Sequence, residues 1–183
     1  MTYKEVTILQ FQQLHSAIRH HGENVYELGM EILNIFEGME RAESSQMSVN
    51  DFNKRLEKYQ FLNEELPSDH WVKEFKLGQD LFKVHQTPDK WNVGQYVSIS
   101  QLTKDQDKII DNLHLILAVM CSKDEDVRDL SIRFQNELSI SIAYPIALFF
   151  CAVMLMLPKD ILHSLRVQAE LVGSQSNGVG MTL

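Results

Sequence analysis

The sequence predicts a mainly α-helical domain, and three observations carry that prediction. Apolar residues recur at helical spacing through most of the chain. The longest apolar run, Ile142 to Leu157, holds no charged residue. Between Trp71 and Val84 the period changes from helical to the alternation of a strand. The expected architecture is a single-domain bundle of about six or seven helices with one small β-hairpin, to which a third strand can be added. Residues 1–172 make that domain, with the hairpin inserted near 71–85, and residues 173–183 form a flexible C-terminal tail.

Thr7 with Gln10 three residues on is a capping box, and Val6 and Phe11 hold the positions of a hydrophobic staple. A helix therefore begins near Ile8, with Ile8, Phe11, Leu14 and Ile18 as its apolar face, and His20, His21 and Gly22 close it. A second helix from about Asn24 carries Val25, Leu28, Ile32, Ile35 and Phe36 and stops before Gly38. Met39 to Gln46 reads as a polar break. Ser48 with Asp51, and Met47 with Phe52, then open a third helix. Its stripe is Val49, Phe52, Leu56, Tyr59 and Leu62, and it ends at Leu66-Pro67.

In the alternating stretch, Gly78-Gln79 fits a two-residue hairpin loop with glycine first. That loop sets Phe75 opposite Phe82, with Leu77, Trp71 and Val84 on the same face, and Glu74 opposite Lys83 on the other. An isolated hairpin is marginal, so the apolar face must dock on helices or on a partner chain. Thr87-Pro88-Asp89 makes a turn, and Val93 to Ile99 reads as an extended segment, the source of the third strand.

Thr103 with Gln106 is read as a capping box opening a core helix from Asp107 to Cys121, with Ile109, Ile110, Leu113, Ile116, Leu117 and Met120 at helical spacing. The acidic segment Ser122 to Asp129 links it to the rest of the core. Val127, Leu130, Phe134 and Leu138 mark an amphipathic helix leading to the apolar run. That run is about sixteen residues, short of the roughly twenty needed to cross a bilayer, and reads as a buried helix with Pro145 in its first turn and Pro158 as its stop. Ile161, Leu162, Leu165, Ala169 and Val172 make a last helix closed by Gly173.

Composition is that of an ordinary globular chain, 183 residues with 44% apolar and 23% charged. A net charge of −8 with scattered Lys and Arg argues against nucleic acid as a partner. The start, MTYKEVTILQ, lacks the basic and apolar regions of a signal peptide, so the expected place of synthesis and residence is the cytoplasm, with no membrane partner. Cys121 and Cys151 lie in apolar helical contexts, as buried thiols do.

The seven histidines form no His-x-x-x-His pair with a carboxylate, and no Cys-x-x-Cys, phosphate loop, nucleophile elbow or dinucleotide fingerprint occurs. Asp111, His114 and Cys121 share a helix, but their spacing suits a surface or capping arrangement, and Cys151 sits where desolvation disfavours a thiolate. Glu64-Glu65 and Asp124-Glu125-Asp126 read as solvated ends rather than cation sites. Met120, Met154 and Met156 read as core filling, with an adaptable binding groove as the other use of thioethers. No enzyme, cofactor or metal site is therefore expected.

From Asp89 onward the order of features is Gly94-Gln95-Tyr96-Val97-Ser98-Ile99, then Leu102 and Asp105, Asn112-Leu113-His114, Leu117-Ala118-Val119 and Ala147-Leu148-Phe149-Phe150. Upstream stand Ile35-Phe36-x-Gly38, a helix containing Phe52, Phe61-Leu62-x-Glu64-Glu65-x-Pro67 and the short hairpin. This series, covering the chain to about Leu165, resembles a family of small proteins of tailed phages that infect Bacteroidetes, crAss-like phages among them. Where that family often carries an Arg-Pro-containing segment, this chain has Met120-Cys121-Ser122-Lys123. The resemblance implies a non-enzymatic virion protein of the neck and tail region that binds other phage structural proteins, as a homo-oligomer or ring within an assembly. It equally admits a transient tail-assembly chaperone, and the residues alone admit a small cytoplasmic regulatory module. The residues expected to bind partners are Trp71, Phe75 and Phe82 on the hairpin and Val179, Met181 and Leu183 in the tail. Ordering such a tail costs about 1 to 2 kcal/mol per residue, which those three side chains offset only by docking in apolar pockets of a neighbour.

Overall fold

Helix caps written in the sequence lay out the first half of the molecule. The structure, a computed structural model, describes residues 1–66, 72–85, 90–122 and 126–156. By its contacts the chain divides into two units, Met1–Phe149 and Phe150–Leu183. The described part of the second is the end of one helix. Mainly helical with one two-stranded hairpin, the architecture is the expected class.

Helix α1, Ile8–His21, is capped by Thr7, whose side chain accepts from Gln10 N while the Gln10 side chain accepts from Thr7 N. Asn24 caps α2, Val25–Glu37, which ends at Gly38 in the left-handed conformation with φ 67, where a side chain would be strained. Ser48 caps α4, Val49–Leu56. The stripes facing inward differ from the periodic expectation. Ile18, Val25 and Val49 are exposed, while Gln12, Ala17, Gly29 and Leu33 are buried. Gly29 is buried because Phe52 and Leu56 press on it: a Cβ there would lie 2.7 Å from the Phe52 ring and 2.9 Å from Leu56 Cδ1. The expected polar break contains a short helix, α3, Arg41–Ser45, after the buried Met39. The third helix continues beyond Leu56 as a 3-10 segment, Glu57–Asn63, which keeps Tyr59 and Phe61 inside.

The hairpin forms with the anticipated register. Strands β1, Glu74–Leu77, and β2, Asp80–Lys83, pair antiparallel with Phe75 opposite Phe82 and Glu74 opposite Lys83, across a turn in which Gly78 has φ 60. They are the two strands among the described residues. The segment expected to extend them is helical: α5, Val93–Leu102. Asn92 and Gln95 form a reciprocal capping box. A good N-cap contributes about 1 kcal/mol, more than the few tenths that each β-branched residue costs in a helix. Val93 and Val97 consequently point outward instead of alternating across a sheet.

The core helix also begins later than expected. Thr103 Oγ1 donates back to Ile99 O at the end of α5. A 3-10 turn, Gln106–Lys108, precedes α6, Leu113–Cys121, in which Leu113 and Ile116 to Cys121 are all buried. A helix apolar all round belongs in the centre of a core. It packs on α5 and, most extensively, on α7, Val127–Glu137, whose inward face is Leu130, Phe134 and, at its end, Leu138. α7 also meets α1, and α1 meets α2.

Helix α8, Ile140–Met156, starts two residues before the apolar run. An isolated antiparallel bridge between Thr7 and Ser139 fixes that start: Ile8 N donates to Leu138 O, and Ile140 N to Val6 O. Ser139 then accepts from Ser141 N through Oγ and from Ala143 N through its carbonyl. Pro145 thereby falls inside the helix, beyond its first turn. Among the described residues, no helix is long and apolar enough to cross a membrane. Trp71, Pro158, the expected last helix and the tail lie outside the described residues.

Candidate interaction surface

Of the residues expected to bind partners, Trp71, Val179, Met181 and Leu183 lie outside the described residues. Phe75 and Phe82 are each 6% exposed. Their rings stack at 5.4 Å, and both meet Phe134 edge-on, at 5.6 and 5.0 Å. Of the two docking options for the hairpin, the chain's own α7 takes it. Arg133, one residue from Phe134, clasps the turn: Nη1 donates to Asp80 Oδ2 at 2.6 Å, Nη2 to Leu77 O at 2.9 Å, and the guanidinium lies 5.7 Å from the centre of the Phe82 ring. This surface is closed.

His114 and Cys121, the reactive side chains weighed in the sequence, lie in enclosed surroundings. Gln12, buried in α1, places Nε2 2.9 Å from the carbonyls of Ile110 and Asp111 and 3.0 Å from His114 Nδ1. Its Oε1 accepts from Gln135 Nε2 on α7. One side chain thus joins α1, the turn before α6, α6 and α7. His114 Nδ1 thus faces the Gln12 amide, and burial pushes the His114 pKa below the usual value. Burial pushes the Cys121 thiol up to about 12, which denies it the thiolate a nucleophile needs. Among the described residues no group of three His, Cys, Asp or Glu side chains converges.

A polar cleft of 530 Å³ lies beside the start of α5, lined by His85, Lys90, Asn92, Gln95 and Ser122 among others. Its best-placed side chains are already committed. Asn92 and Gln95 cap each other, and Gln95 Nε2 donates to Val119 O at 3.0 Å.

Among the described residues, an open apolar groove of 250 Å³ lies where α2, α3 and the start of α4 meet. Tyr26 and Met30, four residues apart on α2, form one wall, and Met47, Val49 and Phe52 form the other. Ser44 and Ser45 close one side, with their hydroxyls donating to the carbonyls of Arg41 and Ala42. Phe52 is buried beneath, its ring 6.3 Å from that of Tyr26, whereas Tyr26 and Val49 are each 60% exposed. At the far end of α2, Glu37 accepts from Arg55 Nη1, Lys58 Nζ and Tyr59 Oη, which fixes α2 against the segment after α4. Desolvation works to raise the Glu37 pKa, but the bonds from Tyr59 and Lys58 and the two cations outweigh it and hold the carboxylate ionised. Met120, read from the sequence as core filling, is fully buried. The available signals for the groove were Tyr26 and Met30 at helical spacing and the Met47 to Phe52 staple. Comparison with family models, with curated proteins and with solved structures finds no match to this chain.

Proposed function

We propose that this is a non-enzymatic binding protein of a tailed phage, a structural component of the neck and tail region that works by holding other virion proteins. The observation behind the binding half is the groove between α2 and α4, an apolar surface left open in a chain whose hairpin face is sealed. His114 and Cys121, the side chains with the most chemical potential, are taken up in structural roles, which favours binding over catalysis. The particle half rests on the ordered series of motifs that resembles the phage family. Mass spectrometry of purified particles tests it. The protein is expected as a stoichiometric component; its absence from particles would turn the reading to a transient assembly chaperone or a cytoplasmic regulator.

A further inference from the structure

We propose that the groove between α2 and α4 is the docking site for a basic amphipathic helix of a partner protein, which seats one large apolar side chain between Met30, Met47 and Phe52. The inference rests on the binding half of the function proposed above and is independent of the particle half.

Size, wall chemistry and charge each narrow the occupant. At 250 Å³ the groove is smaller than the roughly 300 to 1,000 Å³ of small-molecule sites, so it suits one anchoring side chain of a larger ligand. Two thioethers in the walls adapt to whatever shape that side chain has. The groove is lined by helices and the short turn between α3 and α4, with no strand edge among its residues, so strand addition has no template there; an amphipathic helix laid in the groove is the mode that remains. Residues 23–52, which build the groove, carry seven carboxylates and one arginine, a net of −6 within a chain of −8. Glu27 is paired with Arg41, and Glu37 with Arg55 and Lys58. Glu40, Glu43 and Asp51, close in sequence to the groove residues Ser44, Val49 and Phe52, are exposed and meet no cation among the described residues. Lys and Arg flanking the apolar anchor complement that rim, whereas a second copy of this chain would bring the same acidic surface against it.

The test uses the full chain with methyl-labelled methionines and a synthetic helical peptide carrying leucines along one face and lysines along both flanks, with a glutamate-flanked peptide as its counterpart. Titration of the lysine peptide is expected to shift the methyl resonances of Met30 and Met47, assigned by M30L and M47L, and to leave buried Met120 in place. The glutamate peptide is expected to bind at least about tenfold more weakly, and V49K and E43K to weaken the lysine peptide by about tenfold each, since each sets a like charge against it. I132K, an exposed apolar site on α7, should bind as the parent does. Unchanged circular dichroism certifies that each variant is folded. Lack of a shift at Met30 and Met47, or equal binding of both peptides, overturns the proposal. Concentration-dependent dimerisation that V49K abolishes would assign the groove to a second copy and overturn it as well. Absence of the protein from particles would leave a positive titration standing, so the two readings fail separately.

Discussion

The hairpin face on α7 and the groove between α2 and α4 are both built from large apolar side chains at regular spacing, yet only the first is closed. Phe75, Phe82 and Phe134 meet ring to ring, and Arg133 locks the turn that brings them together. Tyr26, Met30, Met47 and Val49 line walls that nothing in the described chain covers. Periodicity is the same kind of signal in both places. What separates them is whether the chain supplies a third element to cap the pair, as α7 does for the hairpin.

The largest effect should come from opening the closed side. Phe134→Ala removes the ring on which both strand phenylalanines rest, and a cavity of that kind costs about 3 to 5 kcal/mol. Urea unfolding should report it, with β1 and β2 losing amide protection before the helices. Should the loss stay near 1 kcal/mol, the hairpin would be held by its turn and not by the aromatic cluster.

Acid should act on the same side through the Gln12 hub. Burial holds His114 below the ordinary imidazole value, so the folded state binds fewer protons than the unfolded one. The stability this group contributes is complete above about pH 6.5 and is lost as pH falls through the folded value. Melting temperatures measured from pH 7 to pH 5 should fall, and His114→Gln should flatten that slope. An unchanged slope in the variant would assign the acid sensitivity to other groups.

On the groove side, Gly29→Ala sets two terms against each other. Alanine gains about 1 kcal/mol of helix propensity, and the new methyl meets Phe52 and Leu56 below 3 Å, an overpacking of about 1 to 3 kcal/mol. A net loss of about 1 kcal/mol is expected by denaturant titration; a gain would show that the groove floor is loose. The smallest effect belongs to the rim, where Tyr26→Ser and Val49→Ser should each change stability by no more than about 0.5 kcal/mol.

Local chemistry made part of this legible in the sequence. Thr7 with Gln10, Asn24 and Ser48 each place a helix start, because a cap is a contact within four residues. Gly78 fixes the hairpin register for the same reason. Facing is different: Ile18, Val25 and Val49 obey the helical period and still lie outside, since only the neighbouring helices decide which stripe is covered. Val93 to Ile99 reads as a strand if side-chain branching is weighed alone, although Asn92 and Gln95 already spell its cap. The groove escaped detection because its two halves, Tyr26 with Met30 and Met47 with Val49, are separated by α3 and meet only through the pairing of α2 with α4.

The bridge between Thr7 and Ser139 has a consequence for how the chain is made. Ile8 and Leu138, joined by a hydrogen bond, stand 130 positions apart. At about 5 to 20 residues per second, the ribosome needs roughly 7 to 26 s to deliver the second partner after the first. For that interval Val6 and Ile8, both fully buried in the finished protein, have no Leu138 or Ile140 to meet. Closure of the N-terminal segment is therefore a late event of translation, and a nascent chain stopped before residue 138 should leave its first eight residues open to protease while α1 and α2 are already formed.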